Sequence, residues 1–513
     1  MRITYPAETA ALPRSSQLLV VARAKAFAAN GCAAALRRLL GGESAAAALA
    51  LAGRTTPGLL GSTASTLLAG RGASARQDGA RQDGARQIAV GVLADAVAAH
   101  NCPARAEAVR KVVASWAGSA PLGGDVLLLL EDRAHLLPGV NAVARALPSF
   151  TRKTSPRRRR DGSVAVHCCD ENGRVLQVPD RAAAIAEQAR WCAALVDTPP
   201  SELDPARLAA AARARLRGLP RVRVRELQGN ALLRAGLRGI HAVGRAAAVP
   251  PRLLVASVAP GRAAPARGRP RHIALVGKGV TFDTGGLHLK ARGAMEGMKS
   301  DMGGAAAVLG AFAVLARQRL PVRLTAVLCL AENAIGPGAY KPDDILTLHS
   351  GKTVEINNTD AEGRLLLADG LSHATRDLRA DVVIDAATLT GAQLIATGNL
   401  HAAVVSNDED LQNVLLAAGT ATGDLTWPLP FVPEFYKSEF HSPVADMRNS
   451  VKNRSNAQSS CAATFVHWHV EDTGARWAHV DLAGPAFVAE RGTGFGVALL
   501  VEAVRILAGA KGD

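Results

Sequence analysis

From residue 273 onward the chain alternates short, almost uninterrupted apolar runs with Ala- and Leu-rich helical patterns, and this alternation restricts its fold more than any other feature. "IALVG", "RLTAVLCLAE", "KTVEINN" and "ADVVIDAATLTG" read as strands, while "GGAAAVLGAFAVLARQ" and "GRLLLADGLSHATRD" read as helices. A strand without polar alternation must be covered on both faces, so helices have to lie on both sides of the sheet. The expected class is α/β. Several of these strands end in Gly- and Asp-bearing loops, which is where α/β sheets usually bind ligands.

A length of 513 residues exceeds one ordinary core and suggests two to four domains. Residues 1–180 show their own strand and helix alternation, with "LLVVA" and "DVLLLLED" among Ala-rich patterns. A helical stretch, "RAAAIAEQARWCAALV", then leads into a helix start with Asp204 as N-cap and Pro205 at the first position. The expected organisation is an N-terminal α/β domain over 1–180, a connecting helix over 181–200, and a second α/β domain over 201–513. The tandem "ARQDGARQDGARQ" (75–87) has a period too short for a solenoid and reads as a polar surface insertion. "RKTSPRRRRDG" (152–162) reads as a solvated loop, with an anion or nucleic-acid contact as the alternative. "GRAAPARGRPRH" (261–272) reads as another loop.

The net charge of +16 raises the question of nucleic acid. It is unevenly distributed: residues 273–513 carry 20 Lys and Arg against 26 Asp and Glu, net −6, and residues 1–272 carry the other 40 and 18, net +22. The motif-bearing half is thus acidic. A nucleic-acid-binding or architectural role for the basic half is the rival reading, but aromatic residues for base stacking make up only 4% of the chain. Seven cysteines, an odd count without CxxC spacing, point to reduced thiols in a cytoplasmic compartment. The first 42 residues hold six Lys or Arg and one acid, Glu8, so the mitochondrial matrix is the alternative location. Against a presequence, "QLLVVARA" has the pattern of a buried strand. No uninterrupted apolar run approaches the ~18 residues of a membrane span, so no membrane is expected.

Acids and lysines concentrate at strand ends in "VGKGVTFDTGGLHLK" (276–290), "MKSDMGG" (298–304) and "NNTDAEGR" (357–364). Asp360 and Glu362 admit a plain reading as acids in the first turn of a helix. Together with Asp283 and Asp301, however, they would repel one another in one cleft unless cations neutralised them. Oxygen-rich ligation suits Mg, Mn or Zn, and a pair of ions can activate a water while holding a carbonyl.

These segments resemble the signatures of the M17 leucyl aminopeptidases, a two-metal family. "NTDAEGRL" (358–365) stands unchanged, and "VGKGVTFDTGG", "MKSDMGGAAAVLG", "DAATLTGA" (385–392) and "TGFGVALL" (493–500) follow the family's order. "LVDTPPSEL" resembles the segment that opens the family's catalytic domain. "LLLLEDRAHLLPGVNAVARALPSFTRK" resembles the branch called probable aminopeptidase-like proteins. The resemblance implies a C-terminal catalytic domain with a mixed, mostly parallel sheet flanked by helices and carrying a two-metal site. Lys278, Asp283, Asp301 and Glu362 would form the tight site, and Asp283, Asp360 and Glu362 the looser one. The ions would be zinc or manganese, with magnesium and cobalt as further options. Lys278 would ligate as a neutral amine. Lys290 would stabilise developing oxyanion charge, and Arg364 would hold a bicarbonate acting as general base. Met298, Asn358, Thr388, Leu389 and Gly391 would line the pocket for the first side chain. The resemblance further implies peptide substrates with an apolar, leucine-like N-terminus and assembly as a homohexamer. "SNAQSSCAATF" (455–465) and "HLKARGAME" depart from the family pattern without touching a proposed ligand.

Three look-alike motifs carry no function by this reading. "SGKT" (350–353) has Leu346 where a phosphate loop needs glycine and precedes a strand instead of a helix. "GTGFG" (492–496) lacks the context of a dinucleotide site. His467 and His469 flank Trp468 without an acidic or Cys partner nearby and read as structural.

Overall fold

The computed structural model describes residues 1–6, 15–68, 85–119, 123–154, 162–261 and 271–510. Most of the 75–87 repeat, positions 155–161 of the basic run and positions 262–270 of the second loop lie outside them. Two compact units are present: 1–190 with 420–423, and 191–419 with 424–513. The division falls inside the helix Asp180–Asp197.

The first unit contains one six-stranded sheet built from β1 (Arg2–Thr4), β2 (Gln17–Arg23), β3 (Ser62–Leu68), β4 (Arg86–Leu93), β5 (Gly124–Leu130) and β6 (Ser163–Asp170). Their order is β1-β6-β5-β2-β4-β3, parallel throughout except for the antiparallel β3–β4 edge. "QLLVVAR" is an inner strand, with Leu18, Leu19 and Val20 fully buried, as its unbroken apolarity requires. The last residues of the repeat, Arg86 and Gln87, open β4 and do not lie in a surface insertion.

The second unit holds β7 (Val222–Gln228), β8 (Arg252–Val258), β9 (His272–Asp283), β10 (Arg323–Asn333), β11 (Ile345–Thr347), β12 (Thr353–Glu355), β13 (Val382–Ala387), β14 (Ala402–Ser406), β15 (Thr426–Pro428), β16 (Met447–Arg448) and β17 (Arg476–Asp481). Eight of them form one sheet in the order β15-β14-β17-β13-β9-β10-β8-β7. The central run β17-β13-β9-β10 is parallel, β14–β15 is parallel, and the remaining pairs are antiparallel, which makes the sheet mixed. Asp204 caps the helix Pro205–Leu216 by accepting the Arg207 amide, with Pro205 in its first turn.

The stretch Met298–Leu315 is apolar and long enough by composition to cross a bilayer, yet 89% of it is buried within the structure, as in a core helix. Its helix, Gly303–Leu315, lies against β9 and β13 so closely that a Cβ on Gly304 would sit 2.0 Å from the Ala386 carbonyl oxygen. "SGKT" is the turn of the β11–β12 hairpin, and no helix follows it. His467 packs its ring on Trp477 and Phe431, and buried His469 lies 2.7 Å from Ser350 Oγ through Nδ1. Both have structural partners.

Candidate functional site

The site forms where β9 outruns its neighbour. β13 pairs with β9 only as far as Gly277, after which β9 continues to Asp283 beside β10 alone. Lys278 and Asp283 therefore project from the open, carboxyl end of the sheet, where parallel α/β sheets place ligands. The bulge between Ala331 and Asn333 sets Asn333 opposite Asp283. Asp301 arrives on the 3₁₀ turn Met298–Ser300, and Glu362 begins the helix Glu362–Ser372.

The two lysines each bridge two acids. Lys278 Nζ lies 2.7 Å from Asp301 Oδ1 and 2.8 Å from Glu362 Oε1, and it donates to the Thr388 carbonyl at 2.9 Å. Lys290 Nζ lies 2.8 Å from Asp283 Oδ2 and 2.6 Å from Asp360 Oδ1. Four carboxylates thus share two ammonium groups, which leaves two negative charges in surplus. Asp283, Asp301 and Glu362 offer ligand atoms all within 4.8 Å of one another, and all three are buried.

Burial and this surplus together set the protonation behaviour. Burial pushes Asp301 and Glu362 above the usual carboxylate range; Lys278 opposes the rise, and repulsion from neighbouring acids reinforces it. Asp360 is raised mainly by burial, with Lys290 opposing. Burial alone would lower Lys278, but Asp301, Glu362 and Asp283 outweigh it and hold the amine protonated. Lys290 is held charged in the same way, chiefly by Asp283 and Asp360. The rises on the acids and on the lysines pull in opposite senses for the same pairs. The short contacts decide for charged lysines, and burial, reinforced by the excess of acids over lysines, accounts for the raised carboxylates. Among protein groups alone Lys278 is thus an ammonium, and ligation as a free amine requires cations to displace its proton.

The donor set fits divalent metal. Hard carboxylate oxygens converge in a buried pocket with uncompensated negative charge, and the buried Asp301 Oδ2 has no hydrogen-bond partner. Close approach is built into the backbone at Gly363: a Cβ there would lie 2.7 Å from Lys278 Cε and 2.9 Å from its Nζ. Because three contacts pin the ammonium, Gly363→Ala is expected to displace Lys278 and lower kcat/KM by about tenfold or more, equivalent to about 1.4 kcal/mol. Circular dichroism should show an intact fold, and an unchanged kcat/KM would refute the tight fit.

Arg364 is buried and donates from one terminal nitrogen to the Asn449 carbonyl at 2.8 Å, while its Nε has no partner. No carboxylate lies within ion-pairing distance among the described residues, and burial lowers the guanidinium to about 10. It remains cationic at neutral pH and is electrostatically suited to an anion.

Of the residues expected from the sequence to line the pocket, Thr388 contacts one of the acids: its Oγ1 donates to Asp301 Oδ1 at 2.8 Å. Asn358 Oδ1 accepts the Asp360 amide at 2.9 Å. Leu389 donates its amide to Asp481 Oδ1 at 3.0 Å, Met298 begins the turn that delivers Asp301, and Gly391 begins the helix Gly391–Thr397 with open space where a Cβ would be.

Several positioning residues escaped the sequence reading. Asn449 accepts the Asn357 and Asn358 amides and donates back to the Asn358 carbonyl at 2.6 Å, stitching the "NNTDAEGR" loop from about 90 residues away. Asn333 donates to Asp283 Oδ1 at 2.8 Å, and the Tyr340 hydroxyl donates to the Thr359 carbonyl at 2.6 Å. Asp481 holds the 389–390 turn, accepting the Thr390 hydroxyl at 2.6 Å. These are lone polar residues outside any motif, so no local signal marked them.

Comparison with known proteins gives the family. The profile of the cytosol aminopeptidase family, catalytic domain, matches residues 190–501, and that of M17 aminopeptidase N-terminal domain 2 matches residues 66–156. The chain belongs to the M17 cytosol aminopeptidase family. As an M17 member it is an aminopeptidase, a hydrolase of peptide bonds, in a metal-dependent family. It is 44% identical to the Mus musculus protein named "Probable aminopeptidase NPEPL1", with 80% of this chain and 78% of that one covered. Leucine aminopeptidase 1 of Caenorhabditis elegans is 42% identical, covering 72% and 74%. The leucyl aminopeptidase of Trypanosoma brucei in complex with bestatin superposes with a TM-score of 0.87 at 35% identity, covering 98% of this M17 chain and 95% of that one.

Proposed function

We propose that this M17 aminopeptidase uses two divalent ions, zinc or manganese with magnesium and cobalt as alternatives, to remove apolar, leucine-like residues from peptide N-termini. The observation that carries the reading is the surplus of negative charge among buried Asp283, Asp301 and Glu362 and half-buried Asp360, which Lys278 and Lys290 only half neutralise. Lys278, Asp283, Asp301 and Glu362 would hold one ion, and Asp283, Asp360 and Glu362 the other. When bound, such ions activate a water and polarise the scissile carbonyl.

The chain's own residues supply the rest. Lys290, half-enclosed and tethered to two acids, offers a fixed positive charge to an oxygen on which negative charge develops. Arg364 has an unused, buried Nε–H and would hold a bicarbonate, which would supply a general base there. Thr388 keeps Asp301 oriented, and Asp481 fixes the turn bearing Leu389. Met298, Asn358, Thr388, Leu389 and Gly391 would form the wall facing the first side chain. The names of the Trypanosoma and Caenorhabditis relatives support the leucine-like preference.

Residues 201–513 would be the catalytic domain, joined to the variable N-terminal domain through residues 181–200, most of which lie in the helix Asp180–Asp197. A homohexamer in the cytoplasm fits the family, and relatives are named cytosol aminopeptidases. The deciding assay is hydrolysis of leucine anilide by the full chain, stripped of metal and then supplied with Mn²⁺, Zn²⁺ or Co²⁺. Turnover should vanish on stripping and return on addition. A chain inert under every metal would overturn the proposal.

A further inference from the structure

We propose that the second unit carries another divalent transition-metal site, separate from the catalytic centre, formed by His349, His373 and Asp377. The three side chains offer ligand atoms all within 4.8 Å of one another. Asp377 Oδ2 lies 3.1 Å from His349 Nε2 and 2.7 Å from His373 Nδ1, so a single carboxylate oxygen faces both imidazoles. The rings stand edge to face with centroids 5.8 Å apart.

The ligands come from two segments that the fold brings together. His349 lies just after β11, and its amide donates to Asp369 Oδ1 at 2.9 Å, which clamps that turn onto the helix Glu362–Ser372. His373 and Asp377 bound the single π-helical turn that continues this helix. Such turns are uncommon and are found frequently at functional sites. Glu362 lies at the opposite end of this 11-residue helix, a span of about 16 Å. The site is therefore distinct from the catalytic centre and does not rest on the peptidase reading.

Orientation and charge both suit an ion. Ser372 Oγ lies 2.9 Å from His349 Nδ1 and fixes the ring so that Nε2 faces the other ligands, the kind of outer support that metal-bound histidines use. Burial lowers the His349 pKa, which keeps its imidazole neutral and able to ligate. The nearest guanidinium, that of Arg376, is paired with Asp472 at 2.7 Å, so its charge is offset. The Asp377 side chain is 50% exposed, leaving a coordination position open to water. Two imidazoles and one carboxylate with an open position select a borderline ion such as zinc or cobalt over magnesium or calcium. On binding, a neutral ring keeps its one proton on the nitrogen that faces away from the ion; for His349 this is Nδ1, beside Ser372 Oγ.

The test uses the full chain with the catalytic centre disabled by Asp301→Asn and Glu362→Gln. After dialysis against a slight excess of Zn²⁺, this chain is expected to retain one zinc, and Co²⁺ titration should develop a visible absorption band. Adding His373→Ala, or separately Asp377→Asn, should weaken affinity by about tenfold or more. His373→Ala in an otherwise unaltered chain should keep leucine anilide turnover within about twofold, which shows that it folds. Failure of the disabled chain to retain zinc, or retention that His373→Ala does not reduce, would mean a hydrogen-bonded His–Asp–His triad only and would overturn the proposal.

Discussion

Replacing Glu362 with alanine is expected to lower leucine anilide turnover by about 10³-fold or more and to release bound metal at the same time. Glu362 is buried, and its Oε1 lies 2.8 Å from Lys278. It is also the one acid assigned to both ions that starts a helix, where the helix dipole favours its charge. Its removal cuts the negative surplus by half and would delete the proposed bridging ligand. Metal analysis alongside circular dichroism would separate this outcome from misfolding. A variant that keeps both its metal and its turnover would refute the bridging role.

A second substitution should split function from stability. Arg364→Met preserves length and apolar bulk while removing a buried cation that has no carboxylate partner among the described residues. We expect kcat to fall by about 10²- to 10³-fold with metal content unchanged. Stability should hold or rise, because an unpaired buried charge costs more than it returns. Bicarbonate-free buffer should slow the native chain and bicarbonate should restore it, while the variant responds to neither. An unaltered kcat, or a metal loss equal to that of the Glu362 variant, would remove Arg364 from this role.

Much of the site was readable because its residues announce themselves locally. "NTDAEGRL" carries Asp360, Glu362 and Arg364 in eight positions, and the strand before "TFDTGG" places Lys278 and Asp283 on one extended segment. Asp204 followed by Pro205 marks a helix start because caps depend only on neighbouring backbone. Asn449, Asn333, Tyr340 and Asp481 had no such signal. Each acts by a hydrogen bond to a backbone or carboxylate many residues away, and a lone asparagine or aspartate reads the same on a surface as in a core. The His349–His373–Asp377 group was hidden for the same reason, since 24 residues separate the first two members.

The sequence by itself determined the class of fold and the inventory of acids and lysines, because hydrophobic periodicity and turn chemistry are properties of neighbouring residues. Only the tertiary structure decided which charges meet. Lys278 is a strand residue whose partners, Asp301 and Glu362, stand just after a 3₁₀ turn and at a helix start, and it is their short contacts at the open end of β9, outweighing burial, that hold its proton. Desolvation and Coulomb attraction depend on distances across the fold, and neither is written in the order of the residues.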